Sequence, residues 1–310
     1  MNRPFDLTVM MYHYVHDPGD EAEAGSGIPG FPVHEFEAQL DVLSLLHNFV
    51  TWPDVRMALQ GGKPLPYSAC LLTFDDGIRD HYYNAFRILR ARKLSGLFFA
   101  LDRSHDRGLV LGHKIHFLLA KLGLPGLYRA VWEMLNPEQR SLCTQAESRY
   151  QSDYSPTTGE NDTNLLKAVL QRELSAEVDG LLSNLFEVHV GSETEIARNY
   201  YLNPEQIREM SAGGMYFGGH SRLHPWFDWI DAQARDDEIQ ASSTWLQQVE
   251  SGPWAFAYPY GGFSQDSPAL LRKHGFAAAF TTRAQIRHAD PYFIGRLDGE
   301  ETVQERSLDV

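Results

Sequence analysis

Short, almost uninterrupted apolar runs alternate along the chain with segments whose apolar residues recur at helical spacing. The runs are Leu7–Tyr12, Cys70–Phe74, Leu97–Leu101, Met215–Gly219, Trp254–Tyr258 and Ala277–Thr281. A strand buried on both faces shows no polar side, so such runs predict parallel strands with helices packed outside them. Between them, Phe36, Leu40, Leu43 and Leu46 predict one helix. Thr51-Trp52-Pro53 opens a second that closes near Gly61-Gly62, and Tyr82, Phe86 and Leu89 predict a third ending near Gly96. Asn203-Pro204 opens a helix ending at Gly213-Gly214, and Ser267-Pro268 one ending at Gly275. Both use a capping side chain followed by proline at the first helical position, where a missing N–H leaves no bond unmade. The alternation predicts an α/β fold in which a barrel is as plausible as an open sheet.

One stretch breaks this rhythm. Asp102 to Tyr201 separates two strands that a short connection would normally join. Its segments HKIHFLLAKLG, LYRAVWEML and NLLKAVLQREL are helical in pattern, and its middle, near Tyr150–Thr163, is polar and loop-like. The expectation is one domain over residues 1–310 carrying a helical insertion over 102–202.

Composition narrows the function more than the fold. The chain has 310 residues, 43% of them hydrophobic and 22% charged, which excludes wholesale disorder, collagen and coiled coil. A net charge of −14 disfavours nucleic acid and anionic membrane surfaces as partners. Two cysteines, Cys70 and Cys143, make no disulfide framework, and Cys70 reads as a core residue. The N-terminal MNRPFDLTVMMYHYV does not have the pattern of a signal peptide, and no apolar segment reaches the roughly 20 residues that span a bilayer. A cytoplasmic protein without a transmembrane segment is expected. The oligomeric state is not legible.

Polar groups collect at the C-terminal ends of the runs, the edge where parallel α/β folds build their sites. LTVMMY ends in His13, CLLTF in Asp75-Asp76-Gly77, MYFGG in His220 with His224 following, and WAFAYP in Tyr260-Gly261-Gly262. Neighbouring residues on a strand point to opposite sides, so Asp75 and Asp76 are expected to do different jobs, one toward a metal and one toward a reacting water. Glycosidase carboxyls stand roughly 5–10 Å apart across a sugar, a poor match to adjacent residues on one strand end. Asp-Asp-Gly is also a common turn. His220 and His224, at i and i+4, converge on one metal from a helix or a tight loop, although such a pair also arises by chance among 13 histidines. Two histidines and a carboxylate make a metal site with open positions for water.

TFDDG at Thr73–Gly77, HSRLH at His220–His224 and FAYPYG at Phe256–Gly261 together resemble the polysaccharide deacetylase (NodB-like) family, carbohydrate esterase family 4, in its motif order. The resemblance covers residues 5–101 and about 203–297. It implies an irregular (β/α) barrel of about seven parallel strands. It also implies metal-dependent removal of an N-acetyl, or O-acetyl, group from a saccharide or glycoconjugate. Carried over by position, Asp76, His220 and His224 hold a divalent metal, usually zinc, and Asp75 is the base for the water on that metal. Tyr260 offers its backbone N–H to the oxyanion, and Pro259 shapes the acetyl pocket. An acetamide is a poor electrophile, so an activated water, a polarised carbonyl and a proton for the leaving amine are all needed.

Two family features are absent. No arginine precedes the proline of the third motif; Arg283 or Arg296, with Arg296 preferred, would orient Asp75 instead. No C-terminal Leu-x-x-His motif supplies the acid; His13, in MMYHYV, is the substitute, although it also reads as a core or supporting histidine. His113 and His116 read as packing residues that would otherwise touch substrate. His16, His34, His81, His105 and His274 carry no assigned role. Trp226, with Phe227, Trp229 and Tyr258 nearby, reads either as a sugar-stacking wall or as core. Alternatives are an amidase or deformylase on the same barrel and a metal-binding barrel that recognises glycans without hydrolysing them.

Overall fold

All six apolar runs are strands in the computed structural model, which describes residues 7–20, 26–102, 108–150, 165–283 and 290–300. They are β1 (Leu7–Tyr12), β3 (Ala69–Asp76), β4 (Leu97–Ala100), β5 (Tyr216–Gly219), β6 (Trp254–Ala257) and β7 (Phe276–Phe280). Two strands of only two residues, β2 (Asn48–Phe49) and β8 (Leu297–Asp298), join them. The strands run in the order β7-β6-β5-β4-β3-β1-β8, with β2 on β3, and every pairing is parallel. Ile294 bridges to Phe280 of β7, and Leu297–Asp298 then pairs with Met10–Met11 of β1. One short stretch of chain therefore touches both ends of the sheet and curls it into a half-barrel.

Strands β1, β3, β4 and β6 alternate between two apolar clusters. Leu7, Val9, Ala69, Leu71, Leu97, Phe99, Ala255 and Ala257 fill the inner face. Met10, Tyr12, Cys70, Leu72, Phe74, Phe98 and Phe256 pack outward against the helices. Burial on both faces is why these strands show no polar alternation. Rings of Tyr12, Phe74 and Phe98 stack in series beneath helix α1 (Val33–Leu46), with centroids 5.2 and 4.6 Å apart. Helix α2 (Trp52–Leu59) starts at a reciprocal capping box of Thr51 and Asp54, with Pro53 in its first turn.

Two helices differ in detail from their sequence patterns, and one between them follows its own. The third opens as a π-helical turn, His81–Phe86, before α3 (Arg87–Ala91); Tyr82 there is half-buried, its ring stacked on Phe86 and its hydroxyl donating to Glu209 at 2.6 Å. Helix α8 (Pro204–Ala212) has the expected Asn203 cap. Helix α10 (Ser267–Lys273) does not use Ser267 as its cap: Ser267 is its first residue, and its hydroxyl accepts from Ser264 N instead.

The chain forms two compact units, one of residues 1–25, 29–105 and 200–310, the other of residues 26–28 and 106–199. The second unit is helical: α4 (Leu111–Met134), α5 (Pro137–Tyr150), a π-type turn (Val169–Glu173), α6 (Ser175–His189) and most of α7 (Glu193–Tyr200). HKIHFLLAKLG and LYRAVWEML merge into α4 around a break at Gly123, two residues before Pro125. Phe117 meets Phe186 edge to face at 5.5 Å, and buried Lys114 pairs with Asp179 at 2.7 Å. His113 is buried within α4, its ring 6.0 Å from that of His116. Most of the polar Tyr150–Thr163 stretch, and His105, lie outside the described residues. No helix among the described residues is long and apolar enough to cross a membrane.

Candidate active site

Asp75 continues the inner face of β3 after Leu71 and Thr73, so its carboxyl stands at the C-terminal mouth of the barrel. Simple alternation would send Asp76 outward among the helices. Asp76 instead adopts a left-handed φ of 76°, which swings its carboxyl back to the same mouth. His220 Nε2 consequently lies 3.4 Å from Asp76 Oδ1 and 3.9 Å from Asp75 Oδ2. Gly77, also left-handed at φ 65°, completes the turn; a Cβ there would sit 2.7 Å from Ala100 Cβ.

His220 and His224 are brought together by a loop, not a helix. Ser221 and His224 have φ of 67° and 56°. Buried Glu238, on helix α9 (Ala232–Leu246), accepts from the consecutive amides of Arg222 and Leu223 at 2.7 and 2.8 Å. Ser221 Oγ accepts from His224 N at 3.0 Å. His220 Nδ1 donates to Ala257 O at 2.8 Å, which orients the ring with Nε2 facing Asp76. Six non-glycine residues among those described have left-handed φ, and four of them, Asp76, Ser221, His224 and Tyr260, are in this site. Backbone of this kind costs about 1–3 kcal/mol per residue and persists only where the surroundings impose it.

Asp76, His220 and His224 present one donor atom each within 4.8 Å of one another. The two imidazole Nε2 atoms are 3.1 Å apart, and each is 3.4 Å from Asp76 Oδ1. Tetrahedral bonds of about 2.0–2.1 Å have an edge of about 3.4 Å, so the three atoms fit the face of a zinc-type coordination shell. Two imidazoles and a carboxylate are a donor set for a borderline divalent ion.

Asp75 is held by the buried guanidinium of Arg296 in a two-pronged pair, Nη1 to Oδ1 and Nη2 to Oδ2, both at 2.7 Å. Arg296 also donates to Thr73 Oγ1 and Thr281 O at 3.3 and 3.4 Å and lies over the Phe99 ring at 5.5 Å. Burial alone would raise the Asp75 pKa, but Arg296, then His220 and His13, outweigh it and hold the carboxyl below its ordinary value. Burial opposes charge on His220 too, yet Asp75 and Asp76 prevail and raise its pKa. His13 Nε2 stands 3.9 Å from Asp75 Oδ2, with about a third of its side chain (35%) open to solvent. Arg296 is on Asp75, while Arg283 lies over the Phe263 ring.

Pro259 is buried, and Tyr260 sits at φ 56° in the short turn after β6. The Tyr260 ring meets His224 at 4.4 Å and is stacked on Trp226 at 4.4 Å with 13° between planes. Trp226 therefore extends an aromatic wall from a candidate metal ligand. Tyr258 does not: its ring is fully buried against Phe227, Phe256 and Phe263, because β6 alternation turns it outward into the core. Phe227 is likewise core, and Trp229 is exposed.

Three supporting residues carried no role in the sequence reading. Buried Asp80 accepts from Val15 N at 2.8 Å and pairs with His16 Nδ1 at 3.0 Å. Buried His81 reaches the carbonyl of His13 at 2.8 Å. Their place directly after Asp-Asp-Gly was the available signal. Glu238 had none, since its partners are main-chain amides.

Residues 185–279 match the polysaccharide deacetylase family, a span that holds His220, His224 and Tyr260 but not Asp75 or Asp76. Over 244 residues, 77% of this chain, the sequence is 23% identical to the poly-beta-1,6-N-acetyl-D-glucosamine N-deacetylase of Escherichia coli strain K12, of which the match covers 29%. Over 37% of this chain and 36% of that relative, it is 27% identical to the putative polysaccharide deacetylase YxkH of Bacillus subtilis. The match thus spans less than a third of the Escherichia coli relative's length. Among solved structures, the Streptococcus pyogenes deacetylase PplD in complex with acetate aligns over 97% of this chain and 98% of its own, with a TM-score of 0.57 and 17% identity. IcaB from Ammonifex degensii aligns over 94% and 90%, with a TM-score of 0.54 and 22% identity. These structural likenesses are likenesses of fold.

Proposed function

Taking this chain's kinship with the polysaccharide deacetylases as the premise, we propose that it is a divalent-metal-dependent deacetylase that hydrolyses the N-acetyl group of a saccharide or glycoconjugate. The observation that carries the reading is the convergence on one barrel mouth of three metal-donor atoms, an arginine-clamped carboxylate and a half-open histidine. Asp76, His220 and His224 would hold the ion, with zinc the best match to two imidazoles and a carboxylate. When bound, such an ion lowers the pKa of water toward about 7 and polarises a carbonyl.

The chain's own residues supply the rest. Asp75, kept ionised by Arg296, takes a proton from the attacking water as its oxygen bonds to the acetyl carbon. The main-chain N–H of Tyr260, in its left-handed turn beside His224, is the candidate donor to the oxyanion. His13 gives a proton to the sugar nitrogen as the C–N bond breaks, leaving acetate and a free amine. The stacked Trp226–Tyr260 pair offers a flat apolar face to a sugar ring. The test is acetate release from N-acetylated monosaccharides, sugar nucleotides, chitooligosaccharides and β-1,6-linked N-acetylglucosamine oligomers. Release from one class, abolished by a chelator and restored by zinc, supports the proposal. Release from none with the metal loaded refutes it.

A further inference from the structure

His81 is a buried imidazole in an aromatic slot, with the Phe74 ring at 5.7 Å and the Phe98 ring at 5.5 Å. Burial lowers its pKa despite the neighbouring Asp80, so the ring is neutral and carries one N–H. That N–H is on Nε2, which donates to the carbonyl of His13 at 2.8 Å, while Nδ1 is buried with no hydrogen-bond partner among the described residues. A buried nitrogen without a partner lowers stability, and a phenyl ring would fill the same slot without one. Packing alone therefore does not explain an imidazole here.

The same turn grips the next residues too. Asp80 accepts from Val15 N, and Asn84 Nδ2 donates to Val15 O at 2.8 Å. The chain on both sides of Tyr14 is thus fixed from the turn that follows Asp75-Asp76-Gly77. The His13 imidazole needs that fixing: it is part-exposed, and its distance from Asp75 is 3.9 Å.

We propose that His81 is a positioning residue for His13, holding the His13 carbonyl so that the His13 imidazole stands over the leaving nitrogen. The inference rests on the reading of His13 as proton donor. Its test uses the zinc-loaded full chain as wild type, His81→Phe, His13→Ala and the double variant, with two substrates. One is the N-acetylglucosamine oligomer; the other is 4-nitrophenyl acetate, whose leaving group departs as an anion and needs no proton. His81→Phe should lower kcat on the amide about 10–100-fold with KM nearly unchanged, the scale of a small misplacement of a catalytic group. It should spare the ester and keep the zinc. In the His13→Ala background it should add nothing. His81→Gln, which keeps an N–H donor, should recover part of the rate; His81→Leu serves if phenylalanine does not fold.

If His13→Ala is impaired on the amide while His81→Phe equals wild type, the inference is wrong. It is also wrong if amide and ester rates fall together with Tm, or if the two substitutions act independently. Normal amide hydrolysis by His13→Ala overturns the acid reading and this inference, but leaves the deacetylase reading standing. A wild type that hydrolyses neither substrate overturns all three.

Discussion

Replacing Arg296 by methionine isolates the interaction that defines Asp75. The substitution keeps much of the buried aliphatic volume and removes a guanidinium whose two nitrogens each lie 2.7 Å from a carboxylate oxygen. Taking one partner from a buried, hydrogen-bonded pair costs about 3–5 kcal/mol, because the other charge is left without compensation. Urea unfolding at pH 8 should show that loss. Its pH dependence has a definite sign. In the wild type the Asp75 pKa is depressed, so its contribution is present above the unfolded value of about 3.9 and disappears as pH falls through the folded value. In the variant, burial raises that pKa with less opposition, so the carboxyl takes up a proton and part of the deficit is relieved as pH falls. The stability gap between the two proteins should therefore widen from pH 4 to pH 8. The acid limb of kcat/KM should move to higher pH, since the base must be ionised to work. Arg296→Lys, which restores charge but not the fork, should fall between. A gap under about 1 kcal/mol at pH 8, together with an unmoved acid limb, would refute the assignment of Arg296 as the group that keeps Asp75 charged.

Two further substitutions separate the remaining roles. Asp75→Asn should keep the metal and lose about 10²–10⁴-fold in acetate release, measured beside metal content; full activity would remove Asp75 as base. Glu238→Leu should weaken zinc binding about 10–100-fold in a competition titration, because the loop between the two histidines loses the carboxylate on its Arg222 and Leu223 amides; unchanged affinity would make Glu238 a packing residue only.

The strands, their parallel pairing and the residues at their ends were legible because burial on both faces erases polar alternation and leaves unbroken apolar runs. The geometry at those ends was less so. Alternation correctly sends Tyr258 outward yet fails for Asp76, whose left-handed φ is imposed by the surrounding turn. Strands β2 and β8 are two residues long, too short for any periodicity, and β8 belongs to the stretch that sets Arg296 on Asp75. Arg296 lies 221 residues from Asp75, and only the lack of an arginine before Pro259 points to it. His81 and Glu238 bond main-chain atoms distant in sequence, so side-chain spacing carries no trace of Glu238, and of His81 only its place just after Asp-Asp-Gly.

Elemental analysis of the purified chain beside His220→Ala tests the central claim most directly. The account predicts about one zinc-class ion per wild-type chain, acetate release that follows metal occupancy, and loss of both in His220→Ala. A wild type that binds no metal even after reloading, or a His220→Ala variant that binds it equally well, would contradict the Asp76–His220–His224 site.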